Sequence, residues 1–262
     1  MAEPRPDLEV VVLGSGTCVP SRERSSCALL VRTAGRSFLL DAGPGTLRRL
    51  AEAEVAIDDL TAVLVSHLHP DHTADLVPLL FATKYDPEGR RTDPLLLVGG
   101  RGFADFYARL KGAYGEWIDP GRGRLEIREV AVEGPDALRL AGVEVRTAPT
   151  VHTPQSVAFR LESPAGHSLV YSGDTDWAEP LVQLAEGADL LVCEAAFPEG
   201  RKVQGHLTPA LAGRIAARAG VRRLMLTHFY PACEAADIAA QCRRSWAGPL
   251  LLARDLLRVS LP

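Results

Sequence analysis

Short apolar runs separated by glycine-marked turns fill the first third of the chain. Leu8 to Leu13, Cys27 to Val31, Phe38 to Leu40 and Ala62 to Val65 all read as strands. A helix is predicted over 45–54. A second should start near Asp71, because Pro70 fixes the entry and Asp71 and Asp75 suit a helix N-terminus, with Leu76, Leu79, Leu80 and Thr83 on one face. The stretch 101–123, richer in glycine, arginine and aromatics, predicts a helix and then a loop covering one end of the core. Strand signals return over 125–130, 138–147, 156–161 and 168–171, divided by turns such as Gly134-Pro135 and Pro164-Ala165-Gly166. Helices over 180–186, 209–219 and 234–244 then alternate with strands over 189–193 and 223–227, which resembles successive α/β units. No low-complexity tract, linker or short-period repeat divides the chain. One layered α/β domain over 1–262 is the simplest architecture.

Composition narrows the class. The 262 residues are 47% hydrophobic, enough for a well-buried core, and the formal charge of -4 is spread along the length. That balance argues against a surface devoted to gripping long nucleic acid, although a local basic groove stays compatible with it. The five cysteines, Cys18, Cys27, Cys193, Cys233 and Cys242, are scattered and form no CxxC pair, so neither a disulfide framework nor a zinc ribbon is indicated. A reduced, cytoplasmic protein is expected. The N-terminus lacks the basic region and apolar run of a signal peptide, and no apolar stretch is long enough to predict a membrane span.

Chemistry concentrates in Ser66-His67-Leu68-His69-Pro70-Asp71-His72, where four potential metal ligands fall within six positions. In an extended segment, residues two apart point the same way, so His67 and His69 can share a metal. Asp71 and His72 lie beyond the proline, where the chain turns, and can face a second metal. Imidazole and carboxylate together suit zinc and other divalent transition metals.

The pattern His67-x-His69-x-Asp71-His72 resembles the HxHxDH signature of the metallo-β-lactamase superfamily, and the resemblance extends along nearly the whole chain. Val12-Leu13-Gly14-Ser15-Gly16-Thr17 is similar to the family's opening strand and glycine turn, and Leu39-Leu40-Asp41-Ala42-Gly43-Pro44-Gly45 to its next loop. Thr150-Val151-His152, Tyr171-Ser172-Gly173-Asp174-Thr175 and Leu226-Thr227-His228-Phe229 match, in order, the segments that complete the site. The resemblance implies a four-layer αββα sandwich with two divalent metal ions at one edge of its sheets. His67, His69 and His152 would hold one ion, Asp71, His72 and His228 the other, and Asp174 would bridge. Taken singly, His152 could cap a strand, Asp174 could be a turn residue, and His228 could be a core histidine beside Phe229. Asp41 is expected to orient a ligand or loop, a simple turn aspartate being the alternative. His and Asp ligands favour zinc, with manganese or iron as alternatives.

Glu194-Ala195-Ala196-Phe197, then Gly205-His206-Leu207-Thr208-Pro209, resemble the ribonuclease Z branch and its phosphodiesterase relatives. There the histidine matching His206 protonates the leaving oxygen and the carboxylate matching Glu194 orients it, so Asp71, Glu194 and His206 form the expected catalytic set. A phosphodiester needs a nucleophile, here a metal-bridging hydroxide, charge neutralisation, and a proton for an alkoxide of high pKa. The alternative for His206 is a backbone hydrogen bond at a helix start capped by Thr208. The short step from His152 to Asp174 leaves no room for the long substrate-gripping arm usual in tRNA-processing enzymes. A small-molecule phosphodiester is therefore the expected substrate, as in bacterial cyclic-nucleotide phosphodiesterases, and tRNA the second choice. Thioester, lactone or β-lactam hydrolysis on the same metals is a third. Phe81, Tyr85, Arg101, Tyr107, Tyr114 and Trp117 fit ordinary core and surface better than a substrate pocket. The oligomeric state stays open, a homodimer included.

Overall fold

A computed structural model describes residues 6–85 and 91–261. In chain order the first half runs β1 (Leu8–Gly14), β2 (Ala28–Thr33), β3 (Arg36–Leu40), α1 (Thr46–Glu52), β4 (Leu60–Val65), α2 (Pro70–Thr73), α3 (Leu76–Lys84), β5 (Leu95–Gly100), α4 (Phe103–Tyr114) and β6 (Leu125–Val130). The second half runs β7 (Asp136–Leu140), β8 (Val143–Pro149), β9 (Val157–Glu162), β10 (Ser168–Tyr171), α5 (Glu179–Leu184), β11 (Leu190–Glu194), α6 (Pro209–Ala219), β12 (Leu224–Thr227), α7 (Ile238–Arg243), β13 (Leu250–Leu252) and β14 (Arg258–Leu261).

The strands form two seven-stranded sheets, ordered β14-β1-β2-β3-β4-β5-β6 and β13-β12-β11-β10-β9-β8-β7. Each is antiparallel on one side and parallel on the other: β3 to β6 run parallel in the first sheet, and β10 to β13 in the second. Alternation sorts the side chains. Val10, Val12, Leu29, Val31, Phe38 and Leu40 turn toward the second sheet, where they share a core with Val143, Val145, Phe159, Leu161 and Val192. Val11, Leu13, Leu30, Leu39, Val63 and Val65 turn outward to Leu50, Leu76, Leu79, Leu80 and Phe103 of α1, α3 and α4. Helices α5, α6 and α7 cover the other sheet. The result is the predicted αββα sandwich.

Helix α6 keeps the predicted bounds because its ends carry chemistry: the Thr208 side chain accepts from Leu211 N, Pro209 opens the first turn, and Gly220 closes it with a left-handed φ of 61°. Other expectations need correction. The strand predicted over 138–147 is a hairpin, because Ala141 and Gly142 both take positive φ (47° and 91°), the two-residue turn that reverses a twisted strand pair. The helix expected from Asp71 breaks into α2 and α3, and Asp75 Oδ2 accepts from Leu47 N, so it serves the start of α1 instead of its own helix. The helix expected over 234–244 shrinks to α7 behind a 3-10 turn at Pro231–Cys233. Helix α4 packs Phe106, Tyr107 and Leu110 on the outer face of the first sheet and does not cap an end of the core. Strands β5, β13 and β14 carry no clear sequence signal: β5 ends in two glycines, and the others are short.

Phe159 is fully buried between the sheets. Phe159→Ala should cost about 3–5 kcal/mol in urea unfolding, the cost of an aromatic cavity. A loss below about 1 kcal/mol would mean that the sheets do not pack on this side chain as described.

Candidate active site

Strand polarity builds the site. Asp41 follows β3, His67 follows β4, Asp174 follows β10, Glu194 ends β11 and His228 follows β12, so five site residues leave the carboxyl ends of parallel strands at one edge of the sandwich. Loops at that edge are anchored by rigid strands yet free to present side chains. His152 joins them from the loop after β8. Backbone hydrogen bonds from Val157 N to Ser66 O (2.9 Å) and from Phe229 N to Ser15 O (3.0 Å) tie the two sheets together there.

All seven predicted ligands converge. His67, His69, His152 and Asp174 offer donor atoms within 4.8 Å of one another, as do Asp71, His72 and His228. Asp174 stands between the sets. Its Oδ2 lies 3.7 Å from His67 Nε2 and 3.8 Å from His152 Nε2, while Oδ1 lies 3.5 Å from His72 Nε2 and 3.3 Å from His228 Nε2. Facing imidazole nitrogens approach closely, His69 Nδ1 to His152 Nε2 at 3.1 Å and His72 Nε2 to His228 Nε2 at 3.3 Å. His67 Nε2 and Asp174 Oδ1 are buried with no hydrogen-bond partner. Converging lone pairs and orphaned buried acceptors are what a divalent cation satisfies, so the donor set fits metal ions.

The tautomers are set from behind by Asp41. Its Oδ2 accepts from His72 Nδ1, Ser66 Oγ and Tyr171 OH, each at 2.7 Å, and its Oδ1 accepts from Ser66 N. Ser66 Oγ, having given its proton to Asp41, accepts in turn from His67 Nδ1 at 3.0 Å. His152 Nδ1 donates to Gly205 O at 2.9 Å. Three imidazoles thus spend their Nδ1 protons on the scaffold and keep Nε2 for the site. Asp41 and His228 both adopt a left-handed φ of 61°, strain that the surrounding bonds sustain. Burial, then the neighbouring His72, holds His67 well below the ordinary histidine range. Burial would raise Asp174, but His228, His72 and His67 outweigh it and keep the carboxyl well below its usual value. The buried carboxylate stays ionised.

Beside these groups His206 Nδ1 lies 2.9 Å from Glu194 Oε1. Glu194 is itself fixed, accepting from Thr175 N, Ala196 N and Leu207 N. Burial would lower His206, yet the hydrogen bond and charge of Glu194 prevail and hold it above its ordinary value. The imidazole is an oriented, readily protonated donor. The backbone-bonding alternative does not describe it, since His206 binds a carboxylate.

Sequence reasoning assigns no role to Ser66, Tyr171 or the Gly205 carbonyl, although all three stand inside the motifs that carry the resemblance. His167 sits away from the cluster, 3.9 Å from Asp189. Phe81, Tyr85 and Trp117 cluster at the surface as tilted rings, with centroids 4.8 to 6.4 Å apart. Tyr107 joins the outer core, and the exposed Arg101 pairs with Glu133. Among the described residues none of the six candidates, Tyr114 included, bonds to the cluster.

Residues 36–229 match the family model described as a beta-lactamase superfamily domain. The chain belongs to the metallo-β-lactamase superfamily and is a metal-dependent hydrolase of its ribonuclease Z-like branch. A ribonuclease Z from Mycobacterium bovis (strain BCG / Pasteur 1173P2) is 33% identical over 278 residues, covering 97% of this chain and 98% of that protein. The fold is shared by the metallo-beta-lactamase fold protein YhfI from Bacillus subtilis, at TM-score 0.83 and 23% identity over 98% of this chain and 100% of that one. Human tRNase Z, short form, superposes with TM-score 0.78 and 24% identity over 97% and 99% of the two chains.

Asp41→Asn keeps the shape but replaces one acceptor oxygen by a donor. It should weaken metal retention about 10–100-fold in chelator competition. Unchanged affinity would show that the ligands need no support from Asp41.

Proposed function

We propose a dinuclear metal-dependent phosphodiesterase that hydrolyses small or cyclic nucleotide phosphodiesters in the cytoplasm, with zinc as the preferred ion and manganese or iron as alternatives. The observation that carries this reading is the His206–Glu194 pair at 2.9 Å, set beside two groups of candidate ligands. A thioester expels a thiolate stable enough to need no such acid. An alkoxide leaving from phosphorus does.

In this reading His67, His69 and His152 hold one ion, Asp71, His72 and His228 the other, and Asp174 spans both. Ions bound there would neutralise the non-bridging phosphate oxygens and supply an activated water. Glu194 keeps the His206 Nδ1 proton and orients the ring, and Nε2, free of protein hydrogen bonds among the described residues, carries the proton for the leaving oxygen. A second reading, a tRNA 3' endonuclease, draws on the M. bovis relative, which carries the name ribonuclease Z and aligns along 98% of its own length. Against it stand the acidic net charge and the tight β9–β10 turn.

Side-by-side hydrolysis of bis(p-nitrophenyl) phosphate, 3',5'-cyclic AMP, precursor tRNA and a lactone separates the readings, with the cyclic nucleotide expected to be the best natural substrate. Turnover of the lactone alone would refute the proposal. His206→Ala should lower turnover of alkoxide-leaving diesters about 10²–10⁴-fold and of nitrophenyl esters far less. Equal losses would remove His206 from the acid role. Because Glu194 raises His206, the alkoxide rate should decline as pH climbs through that raised value and the donor form is lost. Glu194→Gln should move the decline to lower pH, and an unmoved profile would contradict the pairing.

A further inference from the structure

Two aromatic rings at the site belong to neither hydrophobic core. Phe197 and Tyr230 are half-buried and stack with centroids 4.4 Å apart at 20°. The pair adjoins the candidate acid: Phe197 meets the His206 ring at 5.8 Å, and Tyr230 lies 6.2 Å from His206 and 6.0 Å from His228. The rings are held in place. Tyr230 N donates to Ala196 O at 3.2 Å, and the Tyr230 hydroxyl sits 3.4 Å from Cys18 Sγ. Val203, whose carbonyl accepts from His206 N at 3.2 Å, is 45% exposed, so an apolar side chain also stands open beside the candidate acid.

The acid defines the direction. Whatever leaves phosphorus must have its oxygen at His206, so the remainder of the leaving group meets the aromatic pair. We propose that Phe197 and Tyr230 form a leaving-group subsite that selects phosphodiesters whose departing alcohol carries a planar ring, that is, a nucleoside. This rests on the phosphodiesterase reading and names its substrate class. The water oxygen bonds to phosphorus, the bond from phosphorus to the nucleoside oxygen breaks, and that oxygen takes the His206 proton while the water proton passes to solvent. The base adds to the existing stack by offset or edge contact, an interaction open to every base.

The test uses two diesters that share a retained thymidine 5'-phosphate and differ in the alcohol released. Thymidylyl-(3'→5')-thymidine releases thymidine, and the methyl ester of thymidine 5'-phosphate releases methanol. With metal-loaded protein, kcat/KM should favour the dinucleotide at least about tenfold. Tyr230→Ala should bring the ratio near unity, mainly through KM, and weaken equilibrium binding of free thymidine by about the same factor. Tyr230→Phe keeps the ring and should keep the preference, and Phe197→Leu, which preserves apolar volume, should reduce it. Equal losses on both diesters in Tyr230→Ala, with thymidine binding unchanged, would overturn the subsite and leave the phosphodiesterase reading standing. Failure of the unsubstituted protein to cleave either diester, alongside lactone turnover, would overturn both.

Discussion

A carboxylate buried at the meeting of two sheets governs this molecule. Asp174 is almost wholly withdrawn from water, its Oδ1 has no hydrogen bond, and four imidazole nitrogens stand 3.3 to 3.8 Å from its two oxygens. An ionised carboxylate in such a place is costly unless cations answer it. The histidines cannot all supply that charge as imidazolium, since His67 is held far below its ordinary value by burial. A divalent cation would resolve the conflict, and Asp174, with one oxygen turned to each group, faces both ligand sets.

The rest of the edge serves that arrangement. Parallel strands deliver Asp41, His67, Asp174, Glu194 and His228 from their carboxyl ends, and the antiparallel halves of the sheets supply bulk and support. Asp41 links the sheets chemically as well: it fixes His72 directly, His67 through Ser66, and draws Tyr171 across from β10. Close backbone approach makes the arrangement intolerant of side chains. A Cβ on Gly43 would fall 1.9 Å from Asp71 O, which is why glycine stands between the Asp41 loop and the ligand loop.

The local parts of this design were legible in the sequence, and the non-local parts only through resemblance. The HxHxDH cluster is visible because its four ligands are neighbours in the chain and period-two spacing aligns His67 with His69. His152, Asp174 and His228 stand alone, and only their order after the cluster marked them. Helix α6 was legible from Thr208, Pro209 and Gly220 because caps are local chemistry. The Ala141-Gly142 turn was missed because a single alanine in a left-handed conformation leaves no compositional mark, and α3 was displaced because Asp75 spends its carboxylate on another helix. Contacts such as Tyr171 to Asp41 and Tyr230 to Phe197 join residues distant in the chain, and no spacing announces them.

In the proposed dinuclear site Asp174 would join two ions into one catalytic unit. Metal content titrated against phosphodiesterase activity tests it most directly, with ions restored stepwise to metal-stripped protein and each step read by elemental analysis. The account predicts two divalent ions per chain, activity that rises with the second equivalent, and loss of affinity for both ions in Asp174→Ala. Full activity with one ion per chain, or an Asp174→Ala protein that still retains two, would contradict it.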